Sequence, residues 1–184
     1  MAEKKEVYPI EIGGVKRDLR LFEIKPGLKI AIINILGDTE LVQTCAHLLA
    51  EKMDGNLYDV LVTAEAKSIP LAHALSVETG KPYIVLRKSF KIYMGEPLRA
   101  ETVSITTGKP QTLLLDEKDI PLLKGKSAAI VDDVISTGST LNGMLQIIEQ
   151  SGATATMKAA IFTEGDVGNF SDVIALGHLP VFIG

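Results

Sequence analysis

Apolar and polar positions along the chain switch repeatedly between strand-like and helix-like spacing. Residues 7–12 and 15–22 read as two strands, and Gly13-Gly14 between them predicts a hairpin turn. Asp38 or Thr39 is placed to cap a helix, which runs to about Met53 with apolar residues at helical spacing. A short β-branched run at residues 59–63 precedes a helix over Ile69–Thr79, which Gly80-Lys81-Pro82 breaks. Tyr83–Leu86 is the next strand. Residues 126–131 form a further buried strand, a Gly-containing turn leads to a helix over 140–150, and residues 154–162 return as a strand after Gly152. Strands alternating with helices predict an α/β fold: a mainly parallel, twisted sheet flanked by helices. No Ser-rich or Pro-rich linker and no internal repeat divides the 184 residues, so residues 1–184 are expected to form one domain.

Composition narrows the function classes. Hydrophobic residues make up 46% and charged residues 23%, ordinary for a globular protein, and the net charge of -4 argues against a nucleic-acid partner. An anionic ligand must then be held by local chemistry. The single cysteine, Cys45, excludes internal disulfides and a multi-cysteine metal site, and its place in a helical apolar pattern predicts a packed core thiol. A reducing cytoplasm suits that usage. The charged residues 1–6 lack the apolar core of a signal peptide, and no apolar stretch approaches the roughly 20 residues needed to span a bilayer. His47 and His73 fall in predicted helices and His178 lies further on, with no metal-ligand spacing among them.

In open parallel sheets, ligands gather beyond the carboxyl ends of the strands. Three segments of this chain qualify: residues 64–68, 87–91 and 132–140. The richest string, AAIVDDVISTGST at residues 128–140, carries two adjacent carboxylates, Asp132 and Asp133, and then Ser136, Thr137, Gly138, Ser139 and Thr140 before a helix. Successive backbone N–H groups in a tight turn at a helix N-terminus make a concave anion site, and glycine lets a phosphate come close. The hydroxyls add donors. The carboxylates repel a phosphate but accept hydrogen bonds from vicinal sugar hydroxyls, so the segment is suited to hold a sugar phosphate by both ends. The plain alternative is a connection in which Asp133 or Ser136 merely caps the helix. Two acids at a buried strand end cost several kcal/mol each unless paired or hydrated, which favours a solvated active-site edge.

VDDVISTGST resembles the phosphoribosyl-pyrophosphate motif of the type I phosphoribosyltransferases, and PYIVLRK and EAKSIPLA resemble the matching segments of adenine phosphoribosyltransferases. The resemblance covers most of the chain from about Pro9 onward. It implies the type I phosphoribosyltransferase fold with a small N-terminal hood over about residues 1–37. It assigns the ribose 5-phosphate to Asp132, Asp133 and residues 136–140, with Asp132 and Asp133 as the catalytic acids. Pyrophosphate falls to Ala64, Glu65, Ala66 and Lys67, in a loop that in this family often holds a non-proline cis peptide. Arg87 and Lys88, in a cationic stretch after a strand, add charge for the same group.

The polar, Gly- and Pro-interrupted residues 89–112 are expected to be a flexible lid that keeps water from the ribosyl centre. Phe22 and Ile24 are the hood residues expected to stack on the base. The resemblance further implies Mg²⁺ held mainly through substrate and water, 5-phosphoribosyl-1-pyrophosphate and a purine base as partners, no membrane, and a homodimer. Adenine is the favoured base, although Thr106 stands where adenine enzymes carry a lid glutamate, and xanthine or hypoxanthine is the alternative acceptor. A non-catalytic purine-sensing regulator is the alternative from another class. Such regulators carry a DNA-binding domain ahead of this fold, for which the chain has no expected room.

Overall fold

The computed structural model describes residues 6–103, 110–136 and 138–184, with the side chains of Val103 and Ser139 outside the description. In chain order the strands and helices are β1 (Val7–Ile12), β2 (Val15–Lys25), β3 (Leu28–Ile32), α1 (Thr39–Met53), β4 (Val60–Ala64), α2 (Ile69–Thr79), β5 (Tyr83–Leu86), β6 (Leu98–Val103) and β7 (Pro110–Leu115). They continue with α3 (Ile120–Leu123), β8 (Ser127–Ile135), α4 (Ser139–Gln150), β9 (Thr154–Glu164), β10 (Val173–Leu179) and β11 (Val181–Ile183).

Five parallel strands in the order β10-β9-β8-β4-β5 make the central sheet. The α/β architecture expected from the alternation of periods is therefore present. The period-2 geometry of β8 sends Ala129 and Val131 into one core with Leu41, Cys45 and Leu49 of α1 and Leu71 and Leu75 of α2. Ala128 and Ile130 go into a second core with Met144, Ile147 and Ile148 of α4. Both faces of β8 are covered, which is why this strand reads as a continuous apolar run. Cys45 is fully buried in the first core, and that burial pushes its thiol up to about 12, as expected of an inert packed cysteine.

The hood is a second, four-stranded sheet in the order β1-β2-β3-β11. Gly13 and Gly14 turn between β1 and β2 at φ 55° and 83°, a conformation that glycine adopts without a Cβ penalty. Beyond the expected hairpin, β3 and β11 complete this sheet, pairing Ile30 with Val181 and Leu28 with Ile183. The hood is thus closed by a strand drawn from residues 181–183, far from it in sequence.

Residues 89–112, expected as a polar lid, include β6 and the start of β7, which pair antiparallel from Leu98↔Leu115 to Val103↔Pro110. Ala100 and Leu113 of this hairpin are buried against α4. The centre of the expected lid, residues 104–109 with Thr106, lies outside the described residues. Among the described residues, no helix is long and apolar enough to cross a membrane.

Candidate active site

β8 runs further than its apolar stretch. It stays paired with β9 through Asp132↔Ala160 and Ile135↔Thr163, so the two acids sit within the strand instead of after it. The ladder to β9 satisfies this backbone regardless of side-chain polarity, and hydropathy alone does not reveal it. Helix α4 is then capped by Gly138, not by Asp133 or Ser136. Gly138 has φ -71°, which any residue adopts, and a Cβ there meets its neighbours at 3.7 Å or more. Its own chain leaves room for a side chain at this position.

A cavity of about 340 Å³ lies beyond the carboxyl ends of β4, β5 and β8. It brings together Asp132, Asp133, Ser136 and Thr140 from the β8–α4 segment and Ala64, Glu65, Ala66 and Lys67 from the β4–α2 segment. Lys88, from beyond β5, lines it as well, whereas Gly138 is not among its lining residues. The Glu65–Ala66 peptide is cis. Thr137 and the Ser139 side chain lie outside the described residues.

Three further expected residues are placed elsewhere. Phe22 and Ile24 on β2 are each 41% exposed and do not line the cavity, and the Arg20 guanidinium lies 4.7 Å from the Phe22 ring centre. The hood reaches the cavity instead through Ile30, Ala31, Ile32 and Ile33. These residues follow the Pro26-Gly27 break, and their signal, a four-residue apolar run beside a hairpin, is present in the sequence but does not distinguish a ligand-facing strand from core. Arg87 also stays outside the lining: its Nε donates to Glu65 at 2.5 Å and its Nη1 to the Tyr93 hydroxyl at 3.3 Å.

That pairing changes the part played by Glu65. Its backbone N–H donates to the Leu86 carbonyl at 2.9 Å, and its carboxylate accepts from the Lys88 N–H at 2.6 Å as well as from Arg87. Burial favours the neutral acid, but the Lys88 N–H and the Arg87 guanidinium together hold the carboxyl below its usual range. Glu65 has no donor left for an anion; it organises the loop and fixes Arg87.

Asp133 is buried, and its Oδ2 lies 2.7 Å from the Lys67 ammonium, an ion pair whose direction falls outside hydrogen-bond geometry. Lys67 also donates to the Ile33 carbonyl at 3.3 Å, joining the loop to the hood. Asp132 keeps part of its surface open, yet protein surrounds most of its carboxyl. Burial first, and the Asp133 charge second, raise it to about 7. Two residues to which the sequence assigned no role complete the site. Ser68, 2% exposed, donates to Asp132 Oδ1 at 2.5 Å, and the half-buried Glu164 closes the cavity from the end of β9. Burial raises the Glu164 carboxyl while Lys67 opposes the rise.

A doubly covered parallel sheet with paired acids, lysines and a helix N-terminus around one cavity at its carboxyl edge defines an α/β protein built to hold an anionic, hydroxyl-bearing ligand. The phosphoribosyl transferase domain pattern matches residues 33–171, and the chain belongs to this family. The hypoxanthine/guanine phosphoribosyltransferase of Methanococcus voltae is 36% identical over 129 residues, 70% of this chain and 64% of that protein. The purine biosynthesis transcriptional repressor PurR of Bacillus subtilis is 28% identical over 130 residues, 71% of this chain and 45% of the repressor. The aligned chain therefore spans less than two thirds of these relatives. Among solved structures, adenine phosphoribosyltransferase from Thermoanaerobacter pseudethanolicus superposes with a TM-score of 0.72 at 22% identity, over 87% of this chain and 95% of that one. That likeness is one of fold.

Proposed function

We propose that the protein transfers the phosphoribosyl group of 5-phosphoribosyl-1-pyrophosphate to a purine base, with adenine as the favoured acceptor. The observation that carries the proposal is the single cavity that joins the acid pair, the Lys67 loop and a hood strand. In this reading Asp132 and Asp133 accept hydrogen bonds from the ribose hydroxyls, and residues 136–140 at the head of α4 receive the 5-phosphate. Lys67, Lys88 and the backbone at Ala64 and Ala66 receive the pyrophosphate, while Glu65 organises the loop. A base nitrogen attacks the anomeric carbon from the hood side, the bond from that carbon to pyrophosphate breaks, and a nucleoside 5'-monophosphate forms.

The base rests against Ile30–Ile33, where the hood meets the cavity. No histidine or cysteine lines the cavity among the described residues, and its oxygen-rich, open rim fits a hard, hydrated cation carried in on phosphate groups. Mg²⁺ would be held by pyrophosphate and ribose oxygens and by water, where it neutralises charge on the leaving group. The exposed Phe90, Ile92 and Tyr93 beyond Lys88 offer a surface on which the expected homodimer would form.

The 36% identity to a hypoxanthine/guanine enzyme supports a second reading, in which an oxopurine is the acceptor. Incubating the protein with phosphoribosyl pyrophosphate, Mg²⁺ and adenine, hypoxanthine, guanine or xanthine in turn decides between them. Pyrophosphate release with adenine is expected. Release with an oxopurine alone selects the second reading, and no release with any base rejects transfer altogether.

A further inference from the structure

Ser68 occupies the N-cap position of α2, where a serine ordinarily accepts a hydrogen bond from the first turn, yet its side chain makes no such bond. Its hydroxyl crosses to a strand 64 residues away. It donates to Asp132 Oδ1 at 2.5 Å, lies 3.4 Å from Asp133 Oδ1, and accepts the Asp133 backbone N–H at 3.1 Å. A hydroxyl has one proton and two lone pairs, so the short bond to Asp132 and the bond from the Asp133 N–H use it in both senses. The residue before it, Lys67, pairs with Asp133. The same loop thus holds both acids from two consecutive side chains.

We infer that Ser68 is a positioning residue: its buried hydroxyl ties the Asp132–Asp133 pair to the loop that carries Lys67, orients Asp132 toward the cavity and favours its charged form. The inference rests on the proposed function only in what the acids are oriented for. The geometry makes Ser68 the neutral counterpart of the Lys67 ion pair. One acid is held by a cation, and the other by a hydroxyl that shares Asp132 Oδ1 with the Asp133 N–H at 2.9 Å and leaves the second oxygen for a ligand. The groups that share the cavity with Asp132 are Asp133 on its own strand, Glu65 and Lys67 from the β4–α2 segment, Lys88 from beyond β5 and Glu164 from β9. Lys67 is already paired with Asp133, so Ser68 supplies the short neutral contact that stabilises an ionised Asp132 against its acidic neighbours.

The test titrates ¹³C-carboxyl-labelled aspartates by NMR in the wild type and in Ser68→Ala and Ser68→Thr, and measures phosphoribosyl pyrophosphate binding by calorimetry in parallel. Asp132 is expected to titrate at higher pH in S68A and to return toward the wild type in S68T, which keeps the hydroxyl. Affinity for phosphoribosyl pyrophosphate is expected to fall about tenfold in S68A, the size of one hydrogen bond to a charged group. In Ser68→Ala combined with Asp132→Asn it should fall no further than in D132N alone. An unchanged Asp132 titration in S68A, or penalties that simply add in the double variant, would overturn the inference. If the wild type binds no phosphoribosyl pyrophosphate, the proposed function fails, and the titration still decides the role of Ser68.

Discussion

Asp132 is the residue where binding and stability oppose each other. An acid raised from its ordinary value to about 7 in the folded chain keeps its proton across a window in which the unfolded chain has lost it. Between about pH 4 and pH 7 the folded state binds the extra proton, so this group's contribution to stability falls as pH rises and levels off above 7. Replacing Asp132 with Asn, which keeps an acceptor for Ser68, removes that burden. D132N is expected to be more stable than the wild type by roughly 1–3 kcal/mol at pH 8, with the advantage vanishing near pH 4. Urea unfolding of both proteins across that range measures it, and an advantage that does not grow with pH contradicts the account. The same variant is expected to bind phosphoribosyl pyrophosphate more weakly, the usual cost of relieving a strained site.

At the scale of elements, the acid-bearing string was legible because strand, acids, turn and helix follow one another in sequence. The hood was legible only in part. Its first hairpin announces itself through Gly13-Gly14, but the strand that meets the cavity is β3, set between β2 and β11. Phe22 and Ile24, the residues expected to stack on the base, lie on β2, whereas the sheet order turns Ile30–Ile33 toward the cavity. Phe182 of β11 packs edge-on against Tyr8 with ring centres 5.5 Å apart, fastening the outer strand to the hood. Phe182→Ala is expected to cost about 1–3 kcal/mol and to speed amide exchange in β3. Because β3 and not β8 loosens, KM for the base should rise while KM for phosphoribosyl pyrophosphate stays near its wild-type value. Steady-state kinetics with each substrate varied would check this; equal changes in both would place the hood's influence elsewhere.

For the whole molecule, the cavity lies where the β4–α2 loop, the hood and the β8–α4 segment meet, so a ligand there ties the three together. By mass action, phosphoribosyl pyrophosphate with Mg²⁺ at a hundredfold excess over its Kd is expected to stabilise the fold by about 2.7 kcal/mol, a rise in Tm of roughly 5–10 °C. Lys67→Ala is expected to lose most of that rise, since Lys67 contacts the hood carbonyl of Ile33 and Asp133 and, in the proposed function, supplies charge for pyrophosphate. Differential scanning fluorimetry reads both, and an undiminished shift in K67A would remove Lys67 from the ligand's partners.

The order of apolar and polar residues was enough to determine the alternating elements, the covered sheet and the adjacency of two acids to a helix head, because each depends on neighbours within a dozen positions. Three features were decided only by the folded chain: the extension of β8 through the acids, the Glu65–Arg87 pairing and the reach of Ser68 to Asp132. They join residues 28, 22 and 64 positions apart through backbone ladders and short polar contacts. Such contacts follow from which strands lie side by side, and strand order is a property of packing that no local pattern encodes.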